Sequence, residues 1–201
     1  MTALILYTTS GGNTEYLVNQ LKIGFSTTFD KTNIVRVEQM NPLELGNYDF
    51  ILFATPTYNV GNLPYPFEKF VQKALNQGIN LNKIPCQNIV LGYSKYYDVF
   101  CGAKKPLEDF AKKINGLQIG ETILIDGETF DRGQKWIELG TSLSNNLKSQ
   151  ISNKNITFQN LEVFFNPESI IVVGTSENPS KIGHQIFKNI IEGGYRGNII
   201  G

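Results

Sequence analysis

Apolar runs at residues 3–7, 34–37, 50–54, 89–93 and 122–125 punctuate the first part of the chain. Each has the length of a strand buried on both faces, and amphipathic stretches with helical spacing lie between most of them. Leu17, Val18, Leu21 and Phe25 fall on one helical face, as do Phe67, Phe70, Val71 and Ala74. Leu107, Phe110, Ala111 and Ile114 repeat the pattern, and Trp136, Leu139, Leu143 and Leu147 do so after the fifth run. Pro66 and Pro106 stand near helix starts, where a missing N–H costs little. Residues 38–48 hold Pro42 and Gly46, so a helix there should be short. The alternation predicts an α/β fold, a doubly wound five-stranded parallel sheet in the order 2-1-3-4-5 with helices on both faces. That order reverses between strands 1 and 3, and ligands of such sheets sit beyond the carboxyl ends at the reversal. The loops leaving strands 1, 3 and 4 are therefore expected to meet at one site.

After this domain, expected to span residues 1–151, the pattern changes. Residues 152–160 belong to a polar stretch rich in Ser, Asn and Lys and predict a linker. Residues 161–201 predict an incomplete Rossmann-like βαβ segment, with a strand at 170–173, a helix at 184–193 and a second strand starting at 197. A segment of about 40 residues rarely buries enough surface to fold alone. It is therefore expected to be truncated or to depend on packing against the first domain.

Composition removes several functions. Apolar residues make up 41% of the chain, enough for a core, but no run is long and apolar enough to cross a membrane. The 18 basic and 18 acidic residues balance without blocks of one sign, which argues against capture of nucleic acid or anionic lipid. The single histidine, His184, has no companion for a metal site or a triad, and no metal is expected. Cys86 and Cys101 have no metal-ligand spacing, and a reducing cytoplasm is the expected setting. The first apolar run begins at residue 3, so no secretory signal is expected.

The chemistry concentrates in the three loops. Thr9-Ser10-Gly11-Gly12-Asn13-Thr14 follows the first strand and opens a helix. Hydroxyls and backbone N–H groups converge there at the positive end of a helix dipole, which suits a phosphate without a cationic side chain. No lysine follows the glycines, so this is not a nucleoside-triphosphate loop. The same residues also make an ordinary turn and helix cap. The loop after the third strand carries Thr57, Tyr58, Asn59 and Gly61, with Tyr58 at its centre. The loop after the fourth carries Tyr93, Ser94, Lys95, Tyr96, Tyr97 and Cys101. Tyrosines in both loops could wall a slot for a planar ring, or simply pack at the surface. A phosphate cradle with two aromatic walls fits flavin mononucleotide (FMN). No catalytic residue is assigned.

At these residues the chain resembles the flavodoxin family, over roughly residues 2–151. The matching pieces are residues 9–14, the Tyr58 loop, Tyr97 with Asp98, Phe100-Cys101-Gly102-Ala103, and Ile125-Asp126-Gly127-Glu128. The uninterrupted fifth strand looks like the short-chain form. The resemblance implies non-covalent FMN and electron transfer between partner proteins. Thr9, Ser10, Asn13, Thr14 and the Gly11 and Gly12 amides would hold the phosphate, Tyr58 would cover the inner ring face and Tyr97 the outer. The turn at residues 59–61 would turn a carbonyl toward flavin N5. Ser94 and the amides around Tyr93 and Cys101 would meet the pyrimidine edge. Many members carry Trp where this chain has Tyr58 and Asp where it has Ser94, and are more acidic than this chain, which has Lys95, Lys104 and Lys105 nearby.

The tail resembles the opening of the CoA-binding domain of nucleoside-diphosphate-forming acyl-CoA synthetases. The residues concerned are Leu161-Glu162-Val163-Phe164-Phe165-Asn166-Pro167-Glu168-Ser169-Ile170, Val172-Val173-Gly174-Thr175-Ser176, Lys181-Ile182-Gly183 and Gly194-Tyr195-Arg196-Gly197. CoA or synthetase domains are thus further expected partners. Alternatives to the carrier are a flavin-dependent NAD(P)H or quinone reductase, and a redox or regulatory module of such a synthetase.

Overall fold

The structure, a computed structural model, describes residues 1–165 and 167–201, with side chains outside Tyr97 and residues 150–165. Two compact units divide the chain, Met1–Ser149 and Gln150–Gly201.

In the first unit, β1 (Thr2–Tyr7), β2 (Lys31–Arg36), β3 (Phe50–Pro56), β4 (Pro85–Gly92), β5 (Leu117–Gln118) and β6 (Ile123–Asp126) form one sheet. Its order is β2-β1-β3-β4-β5, with β6 also paired to β4, and every pairing is parallel. The order 2-1-3-4-5 expected from the hydrophobic pattern is the order observed. α1 (Asn13–Phe25), α2 (Tyr65–Asn76), α3 (Lys104–Lys113) and α4 (Gly133–Phe165) follow the pattern of helical faces read from the sequence. Leu4, Leu6, Phe53 and Val90 of the sheet pack with Phe67 and Phe70 of α2 and Leu107 and Phe110 of α3 in one buried cluster. Leu17, Val18, Leu21 and Phe25 of α1 are fully buried, and Phe25 meets Phe50 edge-on at 5.8 Å.

The last strand of the sheet departs from what the sequence predicts. The fifth strand is not uninterrupted: β5 and β6 pair with Pro85–Cys86 and Ile89–Gly92 of β4, the Ile119 N–H still donates to Cys86 O at 2.8 Å, and residues 120–122 then leave the ladder. Gly120 sits there at φ 72, a turn conformation that a continuous strand does not use. The helix expected to be short within residues 38–48 is found as two short 3₁₀ segments, Val37–Gln39 and Pro42–Asn47, the second opening on Pro42. The polar segment 152–160 has helical backbone within α4.

In the second unit, β7 (Ser169–Ile171) and β8 (Asn198–Ile200) pair in parallel, joined through α5 (Ile182–Glu192). This is a single βαβ unit. No residue of α5 is buried, and Val173 and Ile182 are largely exposed. A two-stranded sheet and one helix have too little apolar surface to enclose a core.

Candidate functional site

β1, β3 and β4 all deliver their chains to the carboxyl edge of the sheet, where the three expected loops emerge. Thr9 and Ser10 leave β1; Gly12 then takes a left-handed conformation (φ 84) as the N-cap of α1, with no side-chain cap on the helix. A glycine there adopts at little strain a backbone angle that most side chains resist. The Gly12 N–H donates to Thr9 Oγ1 at 3.0 Å, closing the loop on itself. The first amides of α1 have no intrahelical acceptors and present a partial positive charge, with no cationic side chain among residues 9–14. Ser10 and Gly11 are exposed, whereas Thr14 is buried.

Thr14 Oγ1 and Thr57 Oγ1 are buried and have no hydrogen-bond partner. Leaving such a hydroxyl unpaired costs about 1–3 kcal/mol. Both belong to the loops expected to hold a ligand rich in oxygen.

The loop after β3 is a tight turn in which Tyr58 N–H donates to Asn62 O at 2.9 Å and Asn62 N–H donates back to Tyr58 O at 2.8 Å. Asn59 (φ 46) and Gly61 (φ 91) are both left-handed within it. Thr57, Tyr58 and Asn59 form one flank of a cleft of about 540 Å³; Gly92, Tyr93, Tyr96 and Val99 form the other. Gly61 and Gly102 bring the two loops together. A Cβ on Gly102 would lie 2.5 Å from the Gly61 Cα. The backbones therefore touch where any side chain would intervene.

Tyr97 opens a 3₁₀ turn, Tyr97–Val99, and its side chain lies outside the described residues. Tyr96, its neighbour, lines the cleft. Lys95 Nζ stands 4.8 Å from the centre of the Tyr93 ring and 5.1 Å from that of Tyr96. Ser94 is exposed, and its N–H donates to Asp126 Oδ1 at 2.8 Å. That bond holds the Asp126 carboxyl below its ordinary value of 3.8. Cys101 is buried, left-handed (φ 50), and donates from Sγ to Val90 O at 3.4 Å. Burial pushes its thiol up to about 11 and that of Cys86 up to about 12. Neither is a ready nucleophile.

Asn13 faces away from a purely anion-binding task. Its Nδ2 donates to the Tyr93 hydroxyl at 3.3 Å, while its Oδ1 accepts from Thr129 N–H at 3.2 Å. The Tyr93 hydroxyl in turn donates to Glu128 Oε1, which lowers the Glu128 pKa. Thr129 is fully buried, and its carbonyl accepts from Trp136 Nε1 at 2.8 Å. Sequence reasoning gave Glu128 and Thr129 no role. The available signal was a polar run, residues 126–129, directly after a strand at the ligand-bearing edge. Among the described residues no cluster of His, Cys, Asp and Glu could hold a metal, and no helix is long and apolar enough to cross a membrane.

Comparisons with known proteins agree with this geometry. The family model described as Flavodoxin matches residues 5–136. The flavodoxin of Maridesulfovibrio salexigens is 25% identical over 132 residues, 63% of this chain and 86% of that protein. Oxidised flavodoxin 2 from Bacillus cereus matches with a TM-score of 0.66 at 23% identity, over 75% of this chain and 99% of that one. A Fusobacterium nucleatum flavodoxin bound to flavin mononucleotide matches with a TM-score of 0.59 at 18% identity, over 74% and 98% of the respective chains. The alpha subunit of an ADP-forming acetate–CoA ligase from Pyrococcus furiosus is 56% identical over 39 residues, 19% of this chain but only 8% of that protein.

Proposed function

The chain belongs to the flavodoxin family, and we propose that it is an electron carrier holding FMN without a covalent bond and exchanging electrons with partner proteins. FMN, when bound, supplies the reversible uptake and release of electrons; the protein supplies binding, orientation and electrostatics. Thr9, Ser10 and Thr14, with the amides of Gly11 and Asn13, hold the phosphate at the start of α1, while the Gly12 N–H, donated to Thr9 Oγ1, shapes the loop. Thr57 offers its hydroxyl to the sugar-alcohol chain. Tyr58 forms the inner wall for the ring, and Tyr96 stands on the opposite flank of the cleft. The turn at residues 59–61 presents a backbone carbonyl to the ring, and Ser94 with the amides of Tyr93 and Cys101 meets the pyrimidine edge. No side chain in this set needs to act as an acid, base or nucleophile. Transient partners dock at the loop rim, where Val60 and Tyr96 are exposed. The cytoplasm is the proposed setting, supported by two buried, unpaired cysteines.

The observation that carries this reading is the pair of buried, unpartnered hydroxyls, Thr14 and Thr57, in the loops of a cation-free anion cradle and an aromatic cleft. Calorimetry of the apoprotein with FMN tests it. The wild type should bind, and Thr14→Val should bind about 3- to 10-fold more weakly, as expected for one lost hydrogen bond. Absence of heat with the wild type sinks the cofactor reading. Steady NADPH oxidation by the holoprotein without an added reductase would make it a flavin reductase instead.

The second unit supports a further reading, as a partial CoA-binding domain. The short identity to the acetate–CoA ligase subunit and the βαβ unit both favour it. Gly174 turns the chain at φ 86 after β7, and Thr175 and Ser176 then line a hollow with His184. The His184 Nδ1 lies 2.9 Å from Ser176 O, so the ring braces the loop rather than standing ready for catalysis. Heat on titrating CoA into the full chain would support this reading, and none would leave the unit without it.

A further inference from the structure

Tyr93 belongs to both halves of the site at once. Its ring lines the cleft with Thr57 and Tyr58, while its hydroxyl reaches Asn13, the first residue of α1 and a member of the anion loop. Among the described residues, this is the one side-chain hydrogen bond between residues 9–14 and residues 93–101. The far end is anchored. Thr129 Oγ1 lies 2.8 Å from the Asn13 carbonyl and 3.1 Å from its Oδ1, and Thr129 is tied through its carbonyl to the buried Trp136. The near end is anchored too: the hydroxyl donates to Glu128, Tyr96 crosses the Tyr93 ring edge-on at 6.5 Å, and Lys95 lies over both rings. The phenol thus acts as a strut of fixed length between the place for an anion and the place for a planar ring.

We propose that Tyr93 is a positioning residue that sets the span between the anion loop and the aromatic cleft, so that the site selects phosphorylated flavin over riboflavin. The inference rests on the cofactor reading above. A ligand anchored at both ends gains from two subsites held at a matching separation, because no binding energy is spent on ordering them. A ligand anchored only by its ring is indifferent to that separation. Deleting the hydroxyl removes the link to Asn13 and to Glu128 together, while the ring still lines the cleft.

The test is fluorescence titration of the full chain with FMN and with riboflavin, for the wild type, Tyr93→Phe and Glu128→Gln. Tyr93→Phe should weaken FMN about 10-fold, the upper end for the one neutral hydrogen bond lost to Asn13, and riboflavin by less than about 2-fold. The preference for FMN then falls about 5-fold or more. Glu128→Gln retains an acceptor for the phenol and should keep the wild-type preference within about 2-fold. Equal loss for both flavins in Tyr93→Phe would mean a general structural role and overturn the proposal, as would no loss for either. A preference abolished by Glu128→Gln would assign selection to the carboxylate charge and overturn it too. If the wild type bound neither flavin, the cofactor reading would fall along with this one; if it bound FMN with an unchanged preference in Tyr93→Phe, only the strut would fall.

Discussion

Asp126 and Cys101 show how single residues fix the loop after β4. Cys101 holds a left-handed backbone that a non-glycine residue adopts at some strain, and its buried sulfur donates to β4 itself. Asp126, at the end of β6, accepts the Ser94 N–H from the start of that loop. Its folded pKa is depressed, so the stabilisation it gives is present above the unfolded value of 3.8 and is lost as pH falls through the lower folded value. In an NMR titration the Ser94 amide should follow Asp126 with a midpoint below pH 3.8. In Asp126→Asn the same amide should show no such transition. A Ser94 shift that titrates above 3.8 in the wild type would contradict the assigned bond.

At the scale of elements, the two ring-bearing loops are registered by backbone contact. The Gly61–Gly102 approach leaves no room for a methyl, because the obstacle is main chain rather than a movable side-chain tip. Gly102→Ala should cost about 1–3 kcal/mol, the usual penalty for overpacking, read as a lower Tm of the apoprotein. It should also widen the cleft and weaken ring binding. Elements with strong periodicity were legible beforehand: the four helical faces and the central strands β1 and β3 were plain from buried positions alone, whereas β4, read as residues 89–93, begins four residues earlier at Pro85, where Pro85, Gln87 and Asn88 mask its start. β2 was read as residues 34–37 but occupies Lys31–Arg36, because an edge strand tolerates the polar Lys31, Thr32 and Asn33 that mask its start. The break in the last strand was hidden for a related reason, since Gly120 and Glu121 carry no periodic signal. The three loops of the site were legible because unusual residues cluster at the sheet's order reversal. The Asn13–Tyr93 bond was not, since it joins positions 80 residues apart through loop shapes that no local pattern encodes.

At the scale of the whole molecule, the proposed cofactor residues all lie within Met1–Ser149, and so does the single tryptophan. Trp136 is buried at 2% exposure and hydrogen-bonded to Thr129, so its fluorescence reports on the first unit. A chain shortened to residues 1–149 should bind FMN as tightly as the full chain and give the same tryptophan-detected denaturant midpoint. A large drop in either would show that the second unit supports the first energetically, against the division into two compact units.

The interruption at residues 120–122 also bears on solubility. An outermost strand with open N–H and C=O groups is a template on which foreign chains can add and grow into aggregates. Here that border is cut into pieces of 2 and 4 residues with a kink between them, too short and too bent to seed a continuous ladder. The chain thus guards one margin of its sheet by geometry, and filling the gap with a straight β-branched run should raise its tendency to associate.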